Sequence, residues 1–459
     1  MRARVEHTRV DSVRGPLMVI GDVDGVGWDE LAEIRLESGE LRHGIVLDVA
    51  GDIAVVEVFE GTAGIGTAGV RVAFSGSPLR IPVGEAWLGR VCNGRGKPLD
   101  GGPPIVGEQD RPVAGEPINP VMRATPRDPV LTGVSAIDAL ATLVRGQKLP
   151  IFSVGGLPHL ELAAQVAAHA HAGDEPFAVV FAAIGMTHAD AAEVGAALAT
   201  RSAHGDVVVL LNTAEDPLVE RLVTPQLALT IAEDLAFSRD RHVLVVMADV
   251  TSYCEALREV SAARGEIPSR RGYPGHLYSD LAAILERAGR IRDKPGSVTQ
   301  VPVLTMPAGD ITHPVPDTTG YITEGQLVLS AELHAQGLYP PLDALGSLSR
   351  LMRFGAGGGR TRDDHLEVAA QLYALAAEAR QARELAEVLG EDALSATERR
   401  RLDFATAMNS ELLAQDRDED RSLRETLDRA WLVLSRLPRA DLTMISDTTL
   451  AARYRAKAS

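Results

Sequence analysis

A glycine-containing turn at residues 154–158 is the first place in this sequence where chemistry can be expected. An apolar segment at 149–153 precedes the turn, and an amphipathic segment follows it. A strand, a glycine turn and a helix in this order form the context of the phosphate-binding loop GxxxxGK[ST]. In such a loop, backbone amides surround the phosphates, the lysine contacts the terminal phosphates and the hydroxyl binds Mg²⁺. The turn therefore indicates a site of the phosphate-binding type.

The residues that perform this chemistry are replaced. Aligned with the pattern, Pro158 takes the place of the second glycine, His159 that of the lysine and Leu160 that of the hydroxyl residue. Proline removes an amide donor, leucine cannot bind a metal ion, and histidine, with an ordinary pKa of about 6.5, is mostly neutral and too short to replace lysine. We therefore expect weak nucleotide binding or none. The loop positions concerned are Ser153, at the first glycine of the pattern, and Gly155, Gly156, Pro158 and His159.

No other lysine can take over this role. The chain has only four, Lys97, Lys148, Lys294 and Lys457, so none lies from 149 through 293. Lys148 comes directly before the apolar segment, so we expect it at the end of the strand that is remote from the loop. The α/β core must therefore do without a lysine for phosphate.

Two further positions of this chain correspond to places where nucleotide hydrolases carry functional residues. Asp249 follows the apolar segment 242–248, where a carboxylate can orient Mg²⁺ and its water. Many buried strands also end in an aspartate that caps the next helix, so both roles remain open for Asp249. Met186 follows Gly185, at the place where a glutamate would be expected to activate the attacking water. The core thus resembles a hydrolase but lacks a base.

The pattern of the chain changes twice. Short strands separated by turns predict a β-barrel over 1–80, and apolar strands alternating with helices predict a parallel α/β sheet of the P-loop (RecA-like) type over 81–354. Helical periodicity predicts an α-helical domain over 355–459. The predicted central strands are 149–153, 177–184, 207–212, 242–248 and 301–305. The predicted central helices are 161–172, 189–199, 224–237, 253–263 and 277–288.

Composition excludes several classes of protein. Of the 459 residues 45% are apolar and 24% charged, which rules out a largely disordered chain, and the formal net charge of −17 makes nucleic acid a poor partner. The two cysteines, Cys92 and Cys254, have no metal-binding spacing, so we predict no metal site and a reducing compartment. The first residues contain no signal-like apolar region, and no uncharged apolar stretch approaches the ~18 residues of a membrane span.

Several long runs, in the right order, carry a resemblance to a known family. They are residues 143–159, which contain the altered loop, and 253–259, 271–275, 320–326 and 347–352. The chain resembles the B subunit of V-type (archaeal-type, A/V) rotary ATPases and ATP synthases over essentially its whole length. The resemblance implies a regulatory, non-catalytic subunit that alternates with catalytic A subunits in a hexameric ring. It also implies that the loop is altered throughout the family.

The same resemblance implies particular roles. Arg350 matches an arginine finger that acts in trans on Mg-ATP at the interface with the A subunit, and such a finger is typically worth ~10³–10⁵ in rate. The loop that includes Arg270 and Gly275 matches a segment around the central shaft, and the N-terminal domain is implied to contact a peripheral stalk. The complex would couple ATP hydrolysis or synthesis to transport of H⁺ or Na⁺, with this chain on the cytoplasmic side of the membrane as a peripheral component. No nucleotide would be bound tightly by this chain itself.

Two alternatives remain. A self-contained hexameric ATPase motor would need a phosphate-binding lysine and a water-activating glutamate in one chain, and positions 159 and 186 provide neither. A purely architectural ring member differs from the first interpretation only in whether Arg350 acts.

Overall fold

The N-terminal part is one antiparallel sheet. The computed structural model describes residues 5–455. The seven strands pair in the order β1-β7-β4-β5-β6-β3-β2. Side chains of alternating burial, such as Ile34, Val56 and Val72, fill the interior, as expected for a curved sheet with one face in the core. The strands are β1 (Glu6–His7), β2 (Val10–Arg14), β3 (Leu17–Ile20), β4 (Glu30–Arg35), β5 (Leu41–Ala50), β6 (Ile53–Val58) and β7 (Arg71–Pro78).

The segment that follows the barrel is tied to the central domain. Strands β8 (Arg80–Val83) and β10 (Gln109–Pro112) pair with each other, while β9 (Val91–Asn93) joins the central sheet beside β16 (Val207–Thr213). The sequence predicted no strand in this segment, only a connector rich in proline and glycine at 94–104. The short β9 escaped prediction because three residues carry too little periodicity.

The central sheet has its parallel strands in the order β20-β14-β19-β17-β15-β16-β9, with β21 antiparallel at the outer edge. The short strands around it are β11 (Arg123–Ala124), β12 (Pro129–Val130), β13 (Leu143–Val144) and β18 (Gly289–Ile291). The main strands are β14 (Ile151–Ser153), β15 (Phe177–Met186), β16, β17 (His242–Ala248), β19 (Ser297–Thr305), β20 (Gly325–Val328) and β21 (Leu348–Ser349).

Helices cover both faces of this sheet. On β15, Val179 and Phe181 belong to one hydrophobic cluster, whereas Ala178 and Val180 belong to the other, as alternation along a strand requires. The helices are α1 (Ser135–Leu140), α2 (His159–His169), α3 (His188–His204), α4 (Leu218–Phe237), α5 (Val250–Ala263), α6 (Leu277–Leu285), α7 (Pro314–Ile322), α8 (Ala331–Ala335) and α9 (Met352–Gly355).

The C-terminal part is helical and packs on the central domain. Leu372 and Leu427 belong to the same hydrophobic cluster as Leu162 and Val166 of α2, so the core is continuous across residue 355. The predicted domain boundaries at 80/81 and 354/355 stay predictions. The elements are α10 (His365–Leu389), α11 (Ala396–Ala407), a π-helical segment (Met408–Leu413), α12 (Leu423–Leu434) and α13 (Asp447–Arg453).

The predicted fold class is confirmed, with shifts at the ends of elements. The helix expected from 161 begins at His159, and the strand expected from 149 begins at Ile151. In the N-terminal part the sequence predicted strands only at 17–20, 44–49, 53–59 and 70–74, so β1, β2 and β4 were not predicted. In residues 5–455, no helix is both long enough and apolar enough to cross a membrane.

Candidate functional site

The altered loop joins the end of β14 to the start of α2. Ser153 is fully buried at the end of the strand, and Gly156 has a φ of +88°, a left-handed conformation that favours glycine. A Cβ atom added to Gly155 or Gly156 would meet no other atom within 4 Å, so the space in front of the turn is open. The loop therefore keeps the room that a phosphate would need.

Several polar groups of the loop, however, form hydrogen bonds with other groups of the same loop. Pro158 occupies the position before the first turn of α2 and has no N–H to donate. The amide of Leu157 donates to the carbonyl of Val154 (3.3 Å), and that of His159 donates to the carbonyl of Leu157 (2.8 Å). The Nδ1 atom of His159 lies 3.2 Å from the hydroxyl of Ser153. The amides of Leu157 and His159 are thus satisfied within the loop, and the side chains at 158–160 do not fit a tightly held nucleotide.

Asp249 serves as the N-terminal cap of α5. Its carboxylate accepts hydrogen bonds from the amide of Thr251 (2.7 Å) and from the amide of Thr305 (3.2 Å to Oδ2). Burial raises the pKa of Asp249, and the hydrogen bonds from Thr305 and Thr251 oppose that rise in part. These contacts show the capping role that the sequence left open for Asp249, and its role at a metal ion stays a prediction.

The position of the missing base is apolar and closed. Met186 is 4% exposed at the end of β15, and Gly185 before it donates its amide to Oδ1 of Asn212 at 2.9 Å. Ser153, His159, Asp249 and Met186 therefore all lie at the carboxyl edge of the parallel strands, where ligands of α/β sheets usually bind. The structure brings the altered positions together in one place.

Arg350 does not belong to this group. It follows β21, in which Ser349 pairs with Gly325 at the start of β20, and β20 runs parallel to β14 with Leu327 opposite Ile151. Arg350 therefore lies beside the amino end of β14, whereas the loop lies at its carboxyl end. The two candidate features occupy opposite ends of one strand and cannot form a single site within the chain.

The side chain of Arg350 is exposed and weakly held. Its Nη1 atom donates one long hydrogen bond to the carbonyl of Thr323 (3.4 Å), and its backbone amide donates to the carbonyl of Glu324 (3.0 Å). Within residues 5–455 the guanidinium forms no ion pair with a carboxylate, whereas those of Arg290, Arg360 and Arg380 do. The guanidinium is thus available to a group outside this chain. Sequence reasoning missed the polar residues beneath it, among them Gln147 and Glu324.

The predicted shaft loop is anchored at its base and exposed at its tip. Arg271 pairs with Asp310 (2.6 Å) and Arg270 with Asp317 (3.4 Å), which ties the loop to the segment before α7 and to α7 itself. Ile267 is 90% exposed. An apolar side chain held outward on a braced loop is suited to contact with another protein.

The two cysteines are buried and unpaired. Burial raises the pKa of Cys92 to about 11 and raises that of Cys254 well above its ordinary value, so neither is a reactive thiolate at neutral pH. In the part of the chain that the structure describes, no three histidine, cysteine or acidic side chains are grouped as a metal site would require.

A β-barrel, a parallel-sheet domain with a strand, glycine turn and helix at its carboxyl edge, and a helical domain together define a three-part protein of the nucleotide-binding class. Family models match each part. They are the ATP synthase alpha/beta family beta-barrel domain at residues 10–76, the nucleotide-binding domain of the same family at 133–349 and the C-terminal domain of V and A type ATP synthase at 355–454.

Individual proteins agree with these models. The B subunit of the A-type ATP synthase of Aeropyrum pernix is 53% identical over 447 residues, which cover 97% of this chain and 96% of that protein. The solved structure of an ATP synthase subunit from Nanoarcheaum equitans, NeqB, is 37% identical with a TM-score of 0.72 and covers 89% of this chain and 100% of its own. The chain therefore belongs to the ATP synthase alpha/beta family and, within it, to the B subunits of the A/V type, which confirms the resemblance found in the sequence.

Proposed function

We propose that this chain is the non-catalytic, regulatory B subunit of a rotary A/V-type ATPase or ATP synthase, which alternates with catalytic A subunits and supplies Arg350 in trans. The observation that carries the proposal is the separation along β14. At one end, the phosphate loop carries proline, histidine and leucine at positions 158–160 and lacks a lysine. At the other end, an arginine is exposed without a carboxylate partner among the described residues. A chain built in this way has a cation to offer to a neighbour but holds no nucleotide tightly of its own.

The chemistry of the guanidinium suits this role. As the γ-phosphoryl group of Mg-ATP transfers, negative charge spreads over its oxygens and the bridging oxygen, and donors fixed around them stabilise the transition state. Guanidinium remains charged at every physiological pH and offers a planar fork of N–H donors that matches two phosphate oxygens. Arg350 would contribute charge stabilisation, while the catalytic A partner holds the nucleotide with its Mg²⁺ and activates the water.

The remaining surfaces have roles in the same assembly under this proposal. The loop with exposed Ile267, braced through Arg270 and Arg271, would contact the central shaft, and the N-terminal barrel would contact a peripheral stalk. The complex would couple ATP hydrolysis or synthesis to ion transport, with protons as the first candidate ion. The chain would lie on the cytoplasmic side of the membrane as a peripheral component.

Reconstitution with a catalytic A subunit tests the proposal. We expect no Mg-ATP turnover by the isolated chain, turnover by the A/B complex, and a fall in kcat of ~10³-fold or more for Arg350→Ala. Arg350→Lys should recover only part of the loss, because an ammonium lacks the fork. Arg353→Ala is the matched control: it removes an exposed arginine three residues away and should leave turnover within about twofold.

Two results would redirect the interpretation. Appreciable hydrolysis by the isolated chain would favour the self-contained motor. A complex with Arg350→Ala that assembles and turns over normally would favour the architectural ring member, in which Arg350 does not act.

A further inference from the structure

Lys148, at the remote end of β14 from the loop, is buried between two carboxylates. It is 3% exposed, and its Nζ atom lies 2.7 Å from Oε1 of Glu324 and 3.0 Å from Oε1 of Glu286. Its backbone amide also donates to Oε2 of Glu324 at 2.8 Å. Both carboxylate oxygens of Glu324 are thus held by one residue.

The charges in this cluster are balanced. The other carboxylate oxygen of Glu286 pairs with Arg123 at 2.8 Å, so two cations face two anions. Glu286 follows the end of α6, and Glu324 lies between α7 and β20. Lys148 therefore connects the start of β14 with two separate elements of the fold. We call Lys148, Glu286 and Glu324 the lysine clamp.

The clamp is connected directly to the backbone of Arg350. The carbonyl of Glu324, whose side chain Lys148 holds, accepts the amide of Arg350 at 3.0 Å. The same carbonyl accepts Nε2 of Gln147 at 3.1 Å, and that Nε2 also donates to the hydroxyl of Ser349 at 2.9 Å. The hydroxyl of Ser349 donates in turn to the carbonyl of Thr142 at 3.0 Å. Residues 349 and 350 are thereby fixed from both sides by polar groups.

Such support matters because the element that carries Arg350 is weak by itself. Strand β21 has two residues and lies at the edge of the sheet, and a pairing this short is expected to open readily. An arginine side chain also has much rotamer freedom, and a catalytic group loses efficiency steeply when its anchor moves by about 1 Å. The clamp counteracts the opening at the point where β21 and β20 begin to pair.

We propose that Lys148 is a positioning residue for Arg350: through Glu324 it holds the start of β20, and so fixes the backbone from which the guanidinium reaches the neighbouring subunit. This inference rests on the proposed role of Arg350. It assigns a task to the lysine that the sequence placed only at the end of the strand remote from the phosphate loop.

The test is Lys148→Met in the reconstituted A/B complex. We expect the complex to assemble, kcat to fall roughly 10- to 100-fold, and KM for Mg-ATP to stay within about twofold, because positioning affects the transition state more than substrate binding. Lys294→Met is the matched control, since Lys294 is an exposed lysine of the same domain, and it should leave kcat unchanged. Lys148→Arg, which keeps the charge, should recover part of the loss.

A double variant separates positioning from a general structural role. If Lys148 acts only through Arg350, then Lys148→Met combined with Arg350→Ala should be no slower than Arg350→Ala alone. Equal fold-losses in the presence and absence of Arg350 would overturn the proposal, as would a normal kcat for Lys148→Met. If Lys148→Met prevents assembly, Glu324→Gln takes its place in the same cycle, with the same two outcomes. A normal kcat for Arg350→Ala would instead overturn the proposed function itself.

Discussion

Strand β14 has only three residues, yet the polar groups at its two ends are arranged in opposite ways. At the carboxyl end, the side chains of Ser153 and His159 contact each other, and Asp249 caps a helix. At the amino end, Lys148 pairs with Glu324, whereas the guanidinium of Arg350 is exposed and forms no ion pair with a carboxylate of residues 5–455. Under the proposed function, a subunit could lose its own nucleotide chemistry and still present a group to a neighbour, because different ends of the same strand position the two.

The arginine end is expected to show the largest effects, through Arg350→Ala and then Lys148→Met as described above. Substitutions in the altered loop, at the carboxyl end of β14, test whether this loop has lost its nucleotide affinity through its side chains. A variant that carries Ser153→Gly, Pro158→Gly, His159→Lys and Leu160→Thr restores the phosphate-binding pattern. We expect the isolated chain to bind Mg-ATP at least ~10-fold more tightly by calorimetry, because an amide donor, an ammonium and a hydroxyl ligand return to an open turn.

The restored loop should gain affinity for Mg-ATP but no hydrolytic activity. With Met186 in place of a base, the restored chain should still not hydrolyse Mg-ATP alone. The control keeps His159 and carries the other three substitutions, and it should bind more weakly than the full variant. Unchanged affinity in the full variant would mean that features beyond these four residues close the loop end.

A smaller effect is expected at Asp249. Asp249→Ala leaves the amides of Thr251 and Thr305 without their acceptor and should lower the free energy of unfolding by about 1–2 kcal/mol, measured by thermal or denaturant unfolding. Asp249→Asn keeps a cap oxygen and should cost less than Asp249→Ala. If Asp249 instead binds Mg²⁺, both variants should abolish a stabilisation by added Mg²⁺ that the wild-type chain would show.

The smallest effect concerns the pH dependence of stability. Because burial raises the pKa of Asp249, the folded chain holds this proton to a higher pH than the unfolded chain does. Between the ordinary aspartate pKa of 3.8 and the folded value, this residue therefore makes stability fall as pH rises, and above the folded value the loss is complete. Asp249→Asn cannot titrate, so the melting temperature of the variant minus that of the wild type should increase with pH across this window. A difference that stays flat with pH would contradict the raised pKa.

Local patterns in the sequence were sufficient to predict most of the altered loop at the carboxyl end of β14. Pro158, His159 and Leu160 are consecutive, and the chemistry that they remove follows from their side chains alone. The strand before them and the helix after them were predicted to within two residues at their start. Strand β4 was missed because its six residues include three charged ones, which weaken the alternation that identifies a strand.

The amino end of β14 could not be predicted in the same way. Lys148 was expected to lie away from the loop, and it does, but its partners are 138 and 176 residues further along the chain. The place of Arg350 depends on two pairings, β14 with β20 and β20 with β21, and a shift of one residue in either register would turn alternate side chains to the other face. No local periodicity encodes such registers.

By itself, the sequence determined the fold class, the family and the replacement of the phosphate-binding residues at 153–160, because side-chain identity and short-range periodicity decide each of these. The tertiary structure alone decided that Arg350 lies at the opposite end of β14 from that loop, that Asp249 caps a helix, and that Lys148 is buried against Glu286 and Glu324. These facts arise from contacts between residues far apart in the chain, whose geometry exists only after the sheet has formed.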